Sequence, residues 1–269
     1  MSTQPSAQPP AQSPTPAPPQ HPPETFLHAL QALGTIVVVA VFIITFTAQP
    51  FRIPSESMEP TLLVGDFLLV TKQNFPDRSP GFSLPSPTLH RGDVIVFHFP
   101  QDPSLHLVKR IIGLPGDHLR LRDRRVFIDG HPLDEPYAVY QPGPPDPFRD
   151  NFPRLQNPDP DVSSNWWIEM RQLVNRGELT VPAGHYFVLG DNRNDSEDSR
   201  YWGFVPAQNI VGRPLLIYFS LDEPDTPDPT TTPRLTGPLP ARPSRPGIFT
   251  NLERLTGFAR WNRTLRIVR

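Results

Sequence analysis

Two serines stand two positions apart in a short segment that also contains prolines. The segment covers residues 51–66, and the serines are Ser55 and Ser57. Because alternate residues of an extended chain project to the same side, we expect the two hydroxyls to point the same way. A serine hydroxyl is a poor nucleophile until a base removes its proton, so the pair predicts catalysis only beside a base. Serines in loops more often cap turns, and the segment alone leaves both interpretations open.

A lysine flanked by apolar residues is the candidate base. Residues 107–117 are typical of a strand in which Leu107, Lys109 and Ile111 share one face. A surface lysine would extend its charged head into water. A buried lysine would instead lose solvation, which lowers its pKa, and its neutral amine could then accept a proton. The strand pattern is compatible with either a solvent-exposed or a buried Lys109 amine.

A third segment, residues 190–206, is dense in Asn, Asp and Ser and directly follows an apolar run. Its carboxylates do not alternate and end in Glu in the way that a calcium loop requires. An ordinary polar turn is the simplest interpretation. Asp198 and Arg200 are spaced so that they could pair and hold such a turn rigid.

Composition excludes several classes of protein. The chain has 269 residues, a formal net charge of −2 and no cysteine. It therefore has no disulfide, zinc–thiolate site or cysteine nucleophile, and it lacks the basic excess of a nucleic-acid binder. The eight histidines show no metal-ligand spacing. We expect no metal and no organic cofactor.

Strand-like runs position these residues. Short apolar or β-branched runs bounded by Gly and Pro occur at 66–71, 93–99, 106–114, 185–191 and 212–220, and residues 119–130 resemble a hairpin. Only the region around 165–175 favours a helix. The fold class is therefore predicted to be mainly β and antiparallel. Residues 132–163, rich in Pro and Asp, are interpreted as a long surface excursion.

The two ends of the chain differ from this β region. Residues 1–28 form a Pro- and Gln-rich tail that we expect to be disordered. Residues 29–48 carry no charge, and about 20 residues at 1.5 Å each span roughly 30 Å, so they predict a transmembrane helix. Ser57 would then lie within roughly 30 Å of the membrane surface along the chain. Lys and Arg flanking the helix do not define its orientation.

The rest of the chain is predicted to form one soluble region. A folded domain would occupy 49–221, followed by a Pro-rich segment at 222–247 and, at 248–269, a strand that returns to the domain.

Together the three polar segments resemble one family, the bacterial type I signal peptidases, which are membrane-anchored proteases with a Ser-Lys dyad. The resemblance rests on Pro-Ser-Glu-Ser-Met-Glu-Pro-Thr, on residues 91–97, on Lys-Arg-Ile-Ile-Gly-Leu-Pro-Gly-Asp and on residues 190–206. The order of these motifs behind an apolar segment also matches. One departure is the Asn194–Asp195 order, which inverts the order expected in the family.

The resemblance implies roles position by position. Ser57 matches the nucleophile and Lys109 the general base. Ser55 matches the side-chain donor of the oxyanion hole, beside the Ser57 backbone N–H. Ser196 matches a hydroxyl that hydrogen-bonds and orients the lysine. A supporting ion pair matches Asp198 and Arg200.

The resemblance also implies a substrate, a fold and a location. Shallow pockets for small residues at positions −1 and −3 would be built by six apolar residues: Phe51, Ile53, Leu62, Leu68, Val96 and Val108. The fold would be a signal-peptidase-like catalytic core with a β cap inserted at about 118–190. Signal peptides of exported preproteins and the lipid bilayer would be the partners of a monomer that binds no nucleic acid. The domain would lie on the extracytoplasmic face of the cell membrane.

Two alternatives remain from the sequence. A histidine base, His98 or His106, could serve Ser57, although His106 lies three residues from Lys109 and so on the other face of the same strand. The chain could also be a catalytically dead, membrane-anchored binding module for exported chains. The presence of both Ser57 and Lys109 disfavours that second alternative.

Overall fold

The computed structural model describes residues 26–46, 48–72, 88–156, 159–222 and 259–268, and in its first helix it describes the side chains of residues 28–42. The chain divides into two compact units, 1–42 and 43–269. The tail predicted before residue 26 and nearly all of the Pro-rich segment 222–247 lie outside the described residues.

The first helix, α1 (Phe26–Phe46), has 21 residues, with no acidic residue in its first turn and no basic residue in its last turn. Its side chains from 28 to 42 are all exposed. Counted over the described residues, no helix combines the length and the apolar character needed to cross a membrane.

Strands dominate the rest of the described chain. The further helices are α2 (Ser164–Leu173) and α3 (Ser199–Trp202), with 3-10 turns at Glu56–Met58, Ala207–Asn209 and Trp261–Arg263. In chain order the strands are β1 (Ala48–Arg52), β2 (Asp66–Lys72), β3 (Val94–His98), β4 (His106–Gly113), β5 (His118–Arg122), β6 (Arg125–Ile128), β7 (His131–Pro132), β8 (Val174–Asn175), β9 (Glu178–Thr180), β10 (His185–Leu189), β11 (Val205–Pro206), β12 (Ile210–Ser220) and β13 (Arg266–Ile267).

The larger sheet follows the order β1-β2-β12-β3-β4-β10-β11, and β13 pairs with β12. Every one of these ladders is antiparallel. The prediction of a mainly β, antiparallel fold is therefore confirmed. The central position of β3 and β4 buries both, since apolar residues on their two faces enter different clusters of the core.

A second, five-stranded sheet has the order β7-β6-β5-β9-β8 and is drawn from residues 118–180. Its β5–β6 hairpin matches the one predicted at 119–130. Asp123 and Arg124 form the two-residue turn with φ of 47° and 68°, as a tight hairpin with the right-handed strand twist requires.

The interpretation of 132–163 as a surface excursion is wrong in part. Phe148 and Phe152 from this segment are 3% and 0% exposed and join the core cluster of the second sheet, together with Trp166 of α2. The Pro and Asp content had suggested only solvent exposure, yet two aromatic side chains are enough to fix the segment on the core.

The described C-terminal residues return to the larger sheet. Leu216 and Ile217 of β12 pair with β13. Arg263 donates to Asp66 Oδ2 over 2.6 Å, and Ser220 donates to Asp66 Oδ1 over the same distance. Asp66 is fully buried at the start of β2, so its charge is compensated by a residue almost two hundred positions later.

Candidate active site

Ser57 lies in the 3-10 turn Glu56–Met58, so the prediction of a fully extended Ser55–Ser57 segment is wrong. Only Ser55, with φ −131° and ψ 155°, is extended. The turn nevertheless leaves the Ser55 and Ser57 hydroxyl oxygens 3.4 Å apart. Met58 and Leu62, both buried, anchor the turn in the core. Short 3-10 turns have weak sequence signals, which explains the error.

Lys109 reaches this turn from β4. Its Nζ lies 2.5 Å from Ser57 Oγ, across 52 positions of sequence. The lysine is only 4% exposed. As the strand alternation predicted, Leu107 and Ile111 on its face belong to one core cluster, whereas Val108 belongs to another.

The environment of Lys109 favours the neutral amine. Burial lowers its pKa from 10.5 to about 8, and the charge of Arg200 lowers it too. Asp198 and Glu197 oppose this by raising the pKa, although no carboxylate of the described chain forms an ion pair with Nζ. A neutral amine that contacts a serine hydroxyl can remove its proton.

A cleft of about 740 Å³ opens at this pair and is lined by Ser55, Ser57 and Lys109. Apolar side chains form much of its wall: Phe99, Leu105, Leu107, Tyr201 and Trp202. Carboxylates also line it: Glu56, Asp161, Asp195 and Glu197. The cleft is large enough for several residues of a peptide.

The predicted Asp198–Arg200 pair is present and completely buried. Arg200 Nε lies 2.8 Å from Asp198 Oδ1, and Nη2 lies 2.8 Å from Oδ2. Burial alone would raise the pKa of Asp198, but the charge and hydrogen bonds of Arg200 outweigh it and hold that pKa below its usual value. Ser196, also a wall of the cleft, donates to Asp198 Oδ2 over 2.8 Å. The described contact of Ser196 is thus with Asp198 rather than with the lysine.

A second buried network was missed by the sequence reasoning. Arg110, the neighbour of Lys109 on β4, donates to Asp191 Oδ1 over 2.8 Å and to Oδ2 over 2.7 Å. Thr61 donates to the same carboxylate over 2.6 Å. The network therefore ties the segment after Ser57 to β4 and to the loop after β10. The available signal was an arginine inside an otherwise apolar strand, which needs a buried partner.

The loop after β10 also supports the backbone of Ser57. Asn192 N donates to Ser57 O over 3.1 Å. A Cβ atom on Gly190 would lie 2.4 Å from Ser57 O and 2.2 Å from Ser196 Oγ. Only glycine leaves room for Ser57 and Ser196 to approach the same point of the backbone.

The six apolar residues expected to bind substrate all fall in one cluster between β1, β2, β3 and β4: Phe51, Ile53, Leu62, Leu68, Val96 and Val108. Four of them are buried at 3% exposure or less, whereas Phe51 and Val108 keep partly exposed surfaces. Val211 and Val268 are the other partly buried members of this cluster, and none of the six predicted residues is among those that line the cleft at Ser57 and Lys109.

The histidine alternatives lie elsewhere. The rings of His98 and His106 are tilted by 46° with centroids 4.4 Å apart, and the His106 and Phe51 ring centroids lie 5.2 Å apart. His98 Nδ1 lies 2.9 Å from Pro103 O. Among the described residues, no cluster of three acidic or imidazole groups could hold a metal ion.

A buried lysine against a serine hydroxyl, on an antiparallel β scaffold, is the arrangement of a hydrolase with a Ser-Lys pair. The profile of the family "Signal peptidase, peptidase S26" matches residues 26–219, and the chain belongs to this family of serine endopeptidases.

Signal peptidase I of Pseudomonas fluorescens is 37% identical over 203 residues, covering 67% of this chain and 68% of the relative. Signal peptidase I of Aquifex aeolicus is 33% identical over 252 residues, covering 78% and 94%. A crystal structure of a signal peptidase I from Enterococcus faecalis is 34% identical, covers 47% of this chain and 96% of that chain, and has a TM-score of 0.32.

Proposed function

We propose that this chain removes N-terminal signal peptides from exported preproteins, with Ser57 as the nucleophile and Lys109 as the general base. One observation carries the proposal. Lys109 Nζ lies 2.5 Å from Ser57 Oγ in a site where burial lowers the lysine pKa to about 8. Family membership supports the substrate class.

In the acylation step, neutral Lys109 takes the Ser57 proton while Ser57 Oγ attacks the carbonyl carbon of the scissile peptide bond. The ammonium of Lys109 then protonates the leaving amine, which departs as the new N-terminus of the mature protein. In deacylation, Lys109 takes a proton from a water molecule whose oxygen attacks the acyl carbon. The Lys109 ammonium then returns the proton to Ser57 Oγ as the ester bond breaks, which releases the signal peptide and restores the serine hydroxyl.

The oxyanion of each tetrahedral intermediate would be held by the Ser55 hydroxyl and the Ser57 backbone N–H. The first N–H groups of a helical turn have no partner within that turn, and Ser57 is the second residue of its 3-10 turn. The 3.4 Å between the two serine hydroxyls supports a position for Ser55 beside the reacting carbonyl.

Ser196, Asp198 and Arg200 would support the base. Arg200 neutralises Asp198, which limits how far that carboxylate raises the lysine pKa. Ser196 bonds to Asp198 and lines the cleft, so it would hold the wall against which the amine packs.

Small residues at positions −1 and −3 of the substrate would pack against Phe51 and Val108. The other four predicted residues, Ile53, Leu62, Leu68 and Val96, are buried, so they would offer a substrate little surface. A small-residue preference follows from shallow apolar contacts.

Residues 29–48 would anchor the enzyme to the cell membrane, with the peptidase domain outside the cytoplasm. Support comes from the absence of charge along these residues. Protease added to intact spheroplasts should digest the domain after residue 52. A domain that is protected until the membrane is broken would contradict this topology.

Cleavage of a preprotein by the purified full-length chain tests the function. We expect wild type to release the signal peptide and both Ser57→Ala and Lys109→Ala to be inactive. His98→Ala and His106→Ala serve as controls and should retain most activity. An active Lys109→Ala enzyme would exclude the dyad, and wild-type binding without cleavage would favour a binding module.

A further inference from the structure

The loop after β10 contacts the peptide unit that joins Glu56 to Ser57. Asn192 is 1% exposed, and its side-chain Nδ2 donates to Glu56 O over 3.4 Å. Its backbone N donates to the next carbonyl, Ser57 O, over 3.1 Å. One residue therefore binds two successive carbonyls on either side of the serine Cα.

The side-chain contact falls on a chemically informative atom. Glu56 C=O and Ser57 N–H belong to the same planar trans peptide unit and point in opposite directions. Glu56 O also accepts from Glu59 N over 3.0 Å, in the hydrogen bond that closes the 3-10 turn. Asn192 Nδ2 is a second donor to this carbonyl, and a donor that restrains the direction of the Glu56 carbonyl also restrains the direction of the Ser57 N–H. It polarises that N–H as well, because hydrogen bonds in a chain strengthen one another.

The oxygen of the Asn192 side-chain amide lowers the stability of the fold. This atom, Oδ1, is buried and has no hydrogen-bond partner among the described residues. An apolar side chain would fill the same space without an unpaired acceptor. The presence of an amide at position 192 is thus best explained by the hydrogen bond that its Nδ2 donates to Glu56 O.

We propose that Asn192 is a positioning residue for the oxyanion hole, which holds the Glu56–Ser57 peptide unit so that the Ser57 N–H faces the developing oxyanion. The proposal rests on the proposed role of Ser57. Asn192 acts through that peptide unit and touches neither the substrate nor Lys109.

Replacement of the side chain isolates this contact, because the backbone N–H of Asn192 remains and still bonds to Ser57 O. Asn192→Ala should lower kcat by about 10- to 100-fold, less than the 10²- to 10³-fold expected for loss of a direct donor in Ser55→Ala. KM should stay within about twofold, because ground-state binding is unchanged. The pH dependence of kcat/KM should keep its wild-type midpoint.

The matched control is Asn209→Ala. Asn209 lies in the 3-10 turn Ala207–Asn209, and its Nδ2 also donates to a backbone carbonyl, but that carbonyl is His98 O, at 3.2 Å, and Asn209 does not line the cleft. We expect kcat within about twofold of wild type. Equal losses in both variants would mean that the loss does not depend on the contact with Glu56 O, and would overturn the proposal.

A peptide aldehyde with alanine at the reactive position gives a second readout. Ser57 Oγ adds to the aldehyde carbon, and the serine proton moves through Lys109 to the former carbonyl oxygen, which occupies the oxyanion hole. The aldehyde should lose affinity in Asn192→Ala by the same factor as kcat, whereas the matching peptide amide should not. An unchanged aldehyde affinity would overturn the proposal.

The nearly isosteric Asn192→Asp, which cannot donate from an ionised side chain, should lose at least as much kcat as Asn192→Ala. Thermal unfolding of both variants checks their fold, and failure of both to fold would replace the positioning role with a structural one. If Ser57→Ala still cleaves the substrate, the proposed function itself fails. If Ser57→Ala is inactive while Asn192→Ala is fully active, only this inference fails.

Discussion

Lys109 and Arg110 are neighbours on β4, yet only the face that carries Arg110 provides a carboxylate in contact with the cation. Arg110 is 2% exposed and binds both oxygens of Asp191. Lys109 is 4% exposed, and its described contact is the uncharged hydroxyl of Ser57. Burial is nearly the same on both faces, whereas the counter-charge is present on only one.

The difference shows what a lysine base requires. A carboxylate in contact with the amine would keep it protonated and useless as a base. The carboxylate that comes nearest to this role, Asp198, is itself bound by Arg200. The charge of Arg110 is therefore compensated directly by Asp191. Beside Lys109, the charge of the carboxylate of Asp198 is compensated instead, by Arg200.

The largest effect is expected when the charge at position 109 is made permanent, which tests whether Lys109 and Arg110 have different roles. Lys109→Arg should lower kcat/KM by about 10⁴-fold or more, because a guanidinium does not lose its proton in this pH range. Raising the pH to 10 should not restore cleavage. The reciprocal Arg110→Lys keeps a cation opposite Asp191 and should remain active, so inactivity of both variants would show that the two faces do not differ.

Removal of the counter-charge on the other face should affect stability. Asp191→Asn leaves Arg110 buried without its carboxylate, which should destabilise the fold by about 3–5 kcal/mol. Urea unfolding measures the change. Asp134→Asn, at an exposed carboxylate, is the control and should change stability by less than about 0.5 kcal/mol. A similar small change for Asp191→Asn would mean that Arg110 does not depend on the ion pair.

The uncompensated lysine should reduce stability in a pH-dependent way. Its pKa is about 8 in the folded chain and 10.5 as its ordinary value, so below pH 8 folding carries the full cost of burying a charge, about 3 kcal/mol. Lys109→Met should therefore be more stable than wild type at pH 7. Between pH 8 and 10.5 the unfolded chain holds the proton that the folded chain has lost.

Wild-type stability consequently rises with pH in that window, and the advantage of Lys109→Met should shrink towards pH 10.5. Thermal unfolding midpoints at several pH values measure this. An advantage that stays constant from pH 7 to pH 10.5 would contradict a lowered lysine pKa.

The smallest expected effect concerns Glu197, an exposed carboxylate in the cleft that raises the pKa of Lys109. Glu197→Gln removes this charge, so the lysine pKa should fall further and the rising limb of kcat/KM should move to lower pH. We expect a shift of a few tenths of a pH unit, smaller in 1 M salt because exposed charges are screened. Glu169→Gln, on the exposed side of α2, should not move the limb, and an upward move for Glu197→Gln would reverse the argument.

The sequence was informative where structure is local. Apolar runs located β2, β3, β4, β10 and β12, and the alternation along β4 separated Lys109 from His106. The turn at Ser57 was not predictable, because a single 3-10 turn is stabilised by the core contacts of Met58 and Leu62 rather than by its own propensity.

Long-range pairing explains the remaining gaps. Arg110 and Asp191 are 81 positions apart, and neither position indicates the other without the fold. The same holds for Phe148 and Phe152, which a Pro-rich environment made to look exposed. The resemblance to a family supplied the roles of Ser55 and Ser196, whereas composition and spacing did not.

The pairing of Asp66 with Arg263 has a consequence for biosynthesis. Asp66 accepts from Leu63 N as well as from Arg263, and Arg263 also donates to Thr61 O over 3.0 Å. The turn just beyond Ser57 therefore reaches its final state only after residue 263 has left the ribosome. Until then the nascent polypeptide contains both Ser57 and Lys109 but lacks the contacts of Arg263 that complete this turn.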